Sequence, residues 1–172
     1  MSLEQTKAEG SASILFVTLG CAKNEVDTDR MRSLLLRAGY EEASEADEAD
    51  AVIVNTCSFL ASATSESIER TLELAEANTE GVRNRPIVMC GCVPSRYGDD
   101  LPAELPEVAA FVRADAEDGI VSVMDGVLGR ESAVPVAAGS SAGPLAEPLR
   151  TVEGASAYVK ISDGCDRFCS FC

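Results

Sequence analysis

Histidine and tryptophan are both missing from this 172-residue chain. Without His the commonest nitrogen ligand for a metal is gone, and so is the usual acid–base group of neutral pH. Aromatic residues make up only 5% of the chain, so its core has to be built from Val, Ile, Leu and Ala. No apolar run approaches the roughly 18 residues that a membrane helix needs, and no membrane association is expected. The opening MSLEQTKAEGSAS has no apolar core of the kind a secretory signal carries. Residues 1–12 read as a disordered leader, with Met1-Ser2-Leu3 a cloning remnant. Positive charge is scarce: 14 Lys and Arg stand against 29 Asp and Glu, a net charge of −15. Binding a nucleic-acid backbone requires cations that displace counterions, so direct nucleic-acid binding by this chain is not expected. An acidic surface suits a basic protein partner, or serves solubility alone.

Cysteine is the residue that stands out. There are seven, an odd number that excludes a complete intramolecular disulfide framework. With no export signal, the cytoplasm is the expected compartment, where thiols stay reduced. A cysteine-rich cytoplasmic chain points to metal or redox chemistry. Any metal site in a chain without His is a thiolate site, which selects iron–sulfur, zinc or copper(I) over magnesium or calcium.

Apolar runs alternate with amphipathic stretches along the chain. Ser13–Leu19, Ala51–Val54, Pro86–Cys90 and Ala109–Val112 read as strands, with a weak one at Tyr40–Ala43. Met31, Leu34, Leu35 and Ala38 form the stripe of a helix that Asn24 or Asp27 would cap and Gly39 would close. Further helices are expected over about 63–78, with Ile68, Leu72 and Ala75 on one face, over 97–104, and over 117–128. The fold class is therefore α/β, a mostly parallel sheet flanked by helices over residues 13–128. The strands are continuous apolar runs, as in a sheet covered on both faces. Residues 129–155, rich in Pro, Gly, Ser and Ala, read as a linker. After it Tyr158, Val159 and Ile161 look like a buried strand that opens a second unit, 156–172.

Two sets of cysteines carry chemistry. Cys165, Cys169 and Cys172 lie on one loop with Cys-x-x-x-Cys-x-x-Cys spacing, which can hold three corners of a cubane iron–sulfur cluster and leave the fourth iron open. Cys21, Cys57 and Cys92 each follow a predicted strand, and ligands gather at the carboxyl ends of parallel strands. They are either a second thiolate trio or three core thiols, since cysteine is often buried. Cys90, inside its strand, reads as core, and would replace Cys92 as ligand if the register slipped. Gly20 and Gly91 allow tight turns. Asn55 and Thr56 are placed to donate to a thiolate or sulfide. Lys23, Asn24, Asp27, Asn55 and Arg96 lie beside the cysteines as supporting candidates. Helix capping accounts equally well for Asn24 and Asp27, and solvation for Lys23 and Arg96.

The strand, the loop and Phe171 before the last cysteine resemble the radical S-adenosylmethionine (SAM) enzymes. GCAKNEVDTDRM, NTCSF and GCVPSRY ahead of that loop are similar to the methylthiotransferase family over nearly all of residues 13–172. Ala22-Lys23-Asn24 with Val26-Asp27 looks like its ribosomal-protein branch rather than its transfer-RNA branch. The resemblance implies an auxiliary 4Fe-4S cluster on Cys21, Cys57 and Cys92, and a SAM-binding 4Fe-4S cluster on Cys165, Cys169 and Cys172 with Phe171 near the adenine. It also implies a reducing electron donor. The implied activity adds a methylthio group to the β-carbon of an aspartate in a small-subunit ribosomal protein. The chain would be an N-terminal part, holding the first strand and cluster loop of a truncated barrel and inactive by itself. A transfer-RNA adenosine methylthiotransferase, a non-enzymatic iron–sulfur electron carrier and a zinc-binding module are the competing expectations. A single Cys-x-x-Cys knuckle disfavours zinc.

Overall fold

The computed structural model describes residues 11–80, 84–130, 157–162 and 170. Within them lie five strands and five α-helices. They are β1 (Ser13–Thr18), α1 (Ala22–Arg37), β2 (Glu41–Glu42), β3 (Ala51–Thr56), α2 (Ala61–Glu80), β4 (Ile87–Gly91), α3 (Cys92–Tyr97), α4 (Leu101–Glu104), β5 (Val108–Arg113) and α5 (Ile120–Leu128). All strand pairs are parallel, in the order β2-β1-β3-β4-β5. That order is the flavodoxin-like doubly wound arrangement. The chain reverses its direction of travel across the sheet between β1 and β3, and the crevice at the carboxyl ends of these strands is where such folds bind ligands.

Both faces of the sheet are covered, as continuous apolar strands require. Alternate residues divide between the layers. Ile14, Ile53, Val88 and Val112 pack with Met31 and Leu35 of α1 and with Ile120 and Met124 of α5. Val52, Val54, Ile87 and Met89 look the other way, towards α2, α3 and α4. The inward stripe of α1 is the expected one, with Met31 and Leu35 buried and Leu34 and Ala38 partly so. Helix α1 ends as expected too, since Gly39 has φ +84°, a value few other residues adopt.

Three expectations need correction, and α2 adds a feature that the sequence does not signal. Helix α1 starts at Ala22, with Cys21 as its N-cap, so Asn24 and Asp27 lie inside the helix and cap nothing. Helix α3 occupies Cys92–Tyr97, where no helix is expected from the sequence. It is six residues long and buries only two of them, Val93 and Pro94, too few for a period to show. Helix α2 buries Thr64, Ser67 and Thr71 beside its apolar face. Two of these hydroxyls bond back along the chain, Thr64 to the Leu60 carbonyl and Thr71 to the Ser67 carbonyl, which removes the cost of burying them. Lastly, residues 157–162 form no strand. Tyr158, Val159 and Ile161 are exposed. The leader up to Gly10, residues 131–155 of the linker, Ser156, and Cys165, Cys169, Phe171 and Cys172 lie outside the described residues.

Tyr40 closes the α1–β2 turn. Its buried hydroxyl donates to Asp125 Oδ1 at 2.6 Å, and the Arg130 guanidinium lies 4.3 Å above the ring centroid. Burial first, then the Asp125 carboxylate, hold this phenol well above its usual range. An unfolded tyrosine titrates near pH 10. The stabilisation is therefore complete below about pH 10 and lost as pH rises beyond it, because only the unfolded chain gives up the proton. Tyr40→Phe is expected to cost about 2 kcal/mol at neutral pH. It should also flatten the alkaline decline in stability, read from urea unfolding between pH 8 and 11.

Candidate metal centre

The three strand-end cysteines occupy one edge of the sheet. Cys21 follows β1, Cys57 follows β3 directly, and Cys92 follows β4 and opens α3. Because β1, β3 and β4 are adjacent and parallel, the topology brings their carboxyl ends side by side. Cys57 is buried, Cys92 half-buried and Cys21 exposed, so the trio lines a path from the sheet edge to solvent. Cys90 points into the core instead, beneath α1 and α5, and burial pushes its thiol up.

Polar side chains hold the edge together from beneath. Asn24, in the first turn of α1, donates to Asn55 Oδ1 at 3.1 Å and to the Thr56 carbonyl at 2.9 Å. Asn55 donates back, to the Asn24 carbonyl and to Thr28 Oγ1, each at 3.0 Å. Thr28 receives Thr18 Oγ1 at 2.8 Å. These bonds tie the helix that carries Cys21 to the strand that carries Cys57. Thr56 makes the next link. Its hydroxyl donates to the Cys90 carbonyl at 2.6 Å and accepts the Val93 N–H at 3.3 Å, which fixes the β4–α3 turn around Cys92. Ser67 of α2 clamps the Cys57 residue from both ends, accepting its N–H and donating to its carbonyl at 3.1 Å each. Ser58 Oγ donates to the Cys92 carbonyl at 3.2 Å, and Arg96 donates to the Ser58 carbonyl at 2.7 Å.

The expectation that Asn55 and Thr56 donate to sulfur is thus corrected. Their donors are spent within this scaffold, and they position the cysteines instead. Nothing in the sequence separates the two roles, since an amide two residues from a thiol fits both. Arg96 and Lys23 are also not simply solvated. Arg96 holds Ser58, and Lys23 pairs with Asp27 at 3.3 Å.

Lys23, Arg96 and Arg113 line an open cavity of about 400 Å³ with Cys92, Ser95, Ala114 and Asp115. Burial pushes the Cys92 thiol up, and the neighbouring Cys57 and Cys21 sulfurs push it further. The Ser58 backbone N–H and the Lys23 ammonium act in the opposite sense. The Cys92 sulfur thus lies within electrostatic reach of the other two, with cations on the same edge of a strongly acidic chain.

Among the described residues, no group of three or more His, Cys, Asp or Glu is disposed around a single metal ion. A cubane cluster asks for a different layout, one thiolate to each of three irons. By its chemistry the donor set suits such a group. It consists of thiols only, at a strand-end crevice, with Cys21 at the positive end of a 16-residue helix and basic side chains to offset anionic charge. Cys21, Cys57 and Cys92 are the residues that could hold such a group.

The same sheet is what a comparison with known families picks out. Residues 13–113 match the uncharacterized protein family UPF0004. This chain belongs to that family. The UPF0004 region covers all five strands and the three strand-end cysteines, and excludes α5 and the segment at 157–162. The chain is also similar to curated proteins called ribosomal protein uS12 methylthiotransferase RimO. That of Symbiobacterium thermophilum is 39% identical over 158 residues, 91% of this chain and 32% of that protein. That of Thermosynechococcus vestitus is 42% identical over 164 residues, 92% of this chain and 35% of that protein. That of Trichodesmium erythraeum is 40% identical over 162 residues, 93% and 35% respectively. This UPF0004 chain spans about a third of the length of the curated relatives it matches. No helix among its described residues is long and apolar enough to cross a membrane.

Proposed function

We propose that this chain is the part of a radical SAM methylthiotransferase that carries the auxiliary iron–sulfur site. The supporting observation is the delivery of Cys21, Cys57 and Cys92 by three adjacent parallel strands to one edge, over a polar scaffold that fixes all three. A 4Fe-4S cluster bound there supplies an iron without a protein ligand, at which sulfur can be carried. The chain's own residues do the rest of the work at this site. Ser67 sets the Cys57 backbone, Asn24 and Asn55 set the distance between Cys21 and Cys57, and Thr56 and Ser58 set Cys92. Lys23 and Arg96 offset the negative charge of thiolates and cluster, and Val93, next to Cys92, is fully buried in the core with Leu101.

In the same reading, Cys165, Cys169 and Cys172 hold a second 4Fe-4S cluster that binds SAM, with Phe171 near its adenine, and a reducing partner supplies electrons. The names of the relatives point to ribosomal protein uS12 as the substrate, and the reacting atom is an aspartate β-carbon. A basic ribosomal protein suits the charge of −15. The enzyme works in the cytoplasm, and this part of it makes no direct contact with nucleic acid.

The test is an anaerobic count of iron and sulfide on the reconstituted chain. Cys57→Ala is expected to remove about four irons, the content of one cubane cluster, and Cys90→Ala none. An iron content that Cys57→Ala leaves unchanged makes Cys57 a core thiol and removes the auxiliary site. Zinc in place of iron and sulfide would return the chain to an interaction module.

A further inference from the structure

Asp27 is a buried carboxylate with two ammonium partners. Lys23 lies one turn earlier on α1, at 3.3 Å. Lys160 comes from far along the chain and reaches Asp27 Oδ1 at 2.5 Å. The segment around Lys160 is inverted relative to an ordinary strand. Tyr158, Val159 and Ile161 are 64%, 72% and 94% exposed, whereas the Lys160 side chain is only 16% exposed. Its apolar residues stay outside and its charge goes in. Lys160 enters a notch of about 150 Å³ between α1 and the β5–α5 turn. The notch is lined by Asp27, Arg30, Asp115, Glu117 and Asp118, so four carboxylates face one guanidinium. Arg30 is itself taken by Asp118 at 2.6 Å. An ammonium group on a long stem is what such a notch accepts.

We propose that Asp27 and this notch act as a clasp, which fixes the segment at 157–162 against the helix that carries Cys21. Cys165 follows Lys160 by five residues, so the clasp anchors the start of the cysteine loop relative to the strand-end thiols. Asp27 is then a positioning residue. Through Lys23 it also holds a cation on the wall beside Cys92. One carboxylate thereby joins the two cysteine sets, although they are separated by the whole sheet and the linker. The docking itself needs no metal. Only its use, to set the spacing of two clusters, rests on the function proposed above.

The absence of Trp provides a clean probe. Tyr158→Trp introduces the chain's single indole, and its time-resolved fluorescence anisotropy is read on the metal-free 172-residue chain. In the Tyr158→Trp chain the indole is expected to tumble with the folded domain. Adding Lys160→Met is expected to shorten its correlation time at least twofold. Asp27→Asn is expected to do the same, and the two together to do no more than either. Lys160→Met leaves the Asp27–Lys23 pair intact, so it decides the matter even if Asp27→Asn unfolds the domain, which circular dichroism reports. An indole that moves freely from the outset, or one indifferent to Lys160→Met, overturns the clasp. Iron content is expected to be unchanged by Lys160→Met, which keeps this test separate from that of the auxiliary site.

Discussion

Gly91→Ala is expected to lower the stability of the domain by about 4 kcal/mol, as backbone strain and overpacking together imply. Gly91 closes β4 with φ +92° and ψ −138°, a backbone region that is almost exclusively glycine's. A Cβ there would stand 2.4 Å from Asn55 Oδ1 and 2.7 Å from the Thr56 carbonyl oxygen. Neither atom can withdraw, because both are held by the Asn24 amide. Urea unfolding followed by circular dichroism measures the loss, and a change below about 1 kcal/mol would mean that the β4–α3 turn relaxes freely. Gly20→Ala makes an instructive contrast. Gly20 has φ +105°, and its Cβ would lie 2.4 Å from Cys57 Cβ and 3.0 Å from Cys57 Sγ. Here the group that must give way is the proposed ligand. Gly20→Ala is therefore expected to strip iron from the strand-end site at a smaller cost in fold stability than Gly91→Ala. The iron count and the unfolding curve, taken together, distinguish the two.

The second large effect is expected at Asn55. Asn55→Ala removes a fully buried amide and takes one hydrogen bond each from Thr28 Oγ1, the Asn24 carbonyl and the Asn24 amide; Thr28 keeps Thr18, and the Asn24 amide keeps the Thr56 carbonyl. At about 1 kcal/mol for each of the three lost bonds, the expected loss is about 3 kcal/mol. Asn55→Asp separates charge and shape from donation. It is nearly isosteric, yet it cannot donate the two bonds that Asn55 makes to Asn24 and Thr28. It is expected to be at least as damaging as Asn55→Ala at neutral pH, and partly rescued in acid, where the carboxyl regains a proton to donate. Equal stability of Asn55→Asp and the parent at pH 7 would show that these bonds contribute little.

Most of the architecture could be read from the sequence because fully buried parallel strands announce themselves. Ile14, Ile53 and Val88 lie in short apolar runs with a turn after each, and the runs alternate with helical stripes such as Met31, Leu34, Leu35 and Ala38. The placement of Cys21, Cys57 and Cys92 at strand ends followed from the same runs. The polar scaffold did not. Asn24 sits where a cap would sit, yet its amide crosses to Asn55 and Thr56, and only the packing of α1 on the sheet determines that. Thr64, Ser67 and Thr71 are polar in sequence and buried in the structure because their hydroxyls are satisfied by backbone. The apolar Tyr158–Ile161 run misled in the opposite direction. Its apolar content suggests a strand, but among the described residues no sheet edge receives it, and it is Lys160 that is buried, paired with Asp27.

The sheet topology also orders events in time. Cys165, Cys169 and Cys172 are close neighbours along the chain, so a metal could find them before any folding has occurred. Cys21, Cys57 and Cys92 meet only after β1, β3 and β4 have paired, and parallel pairing is among the slower events in folding because each crossover must close first. A chain with an unfinished sheet offers an iron donor no more than isolated thiols. A cluster bound by the strand-end trio, as proposed above, would therefore be acquired only after β1, β3 and β4 have paired.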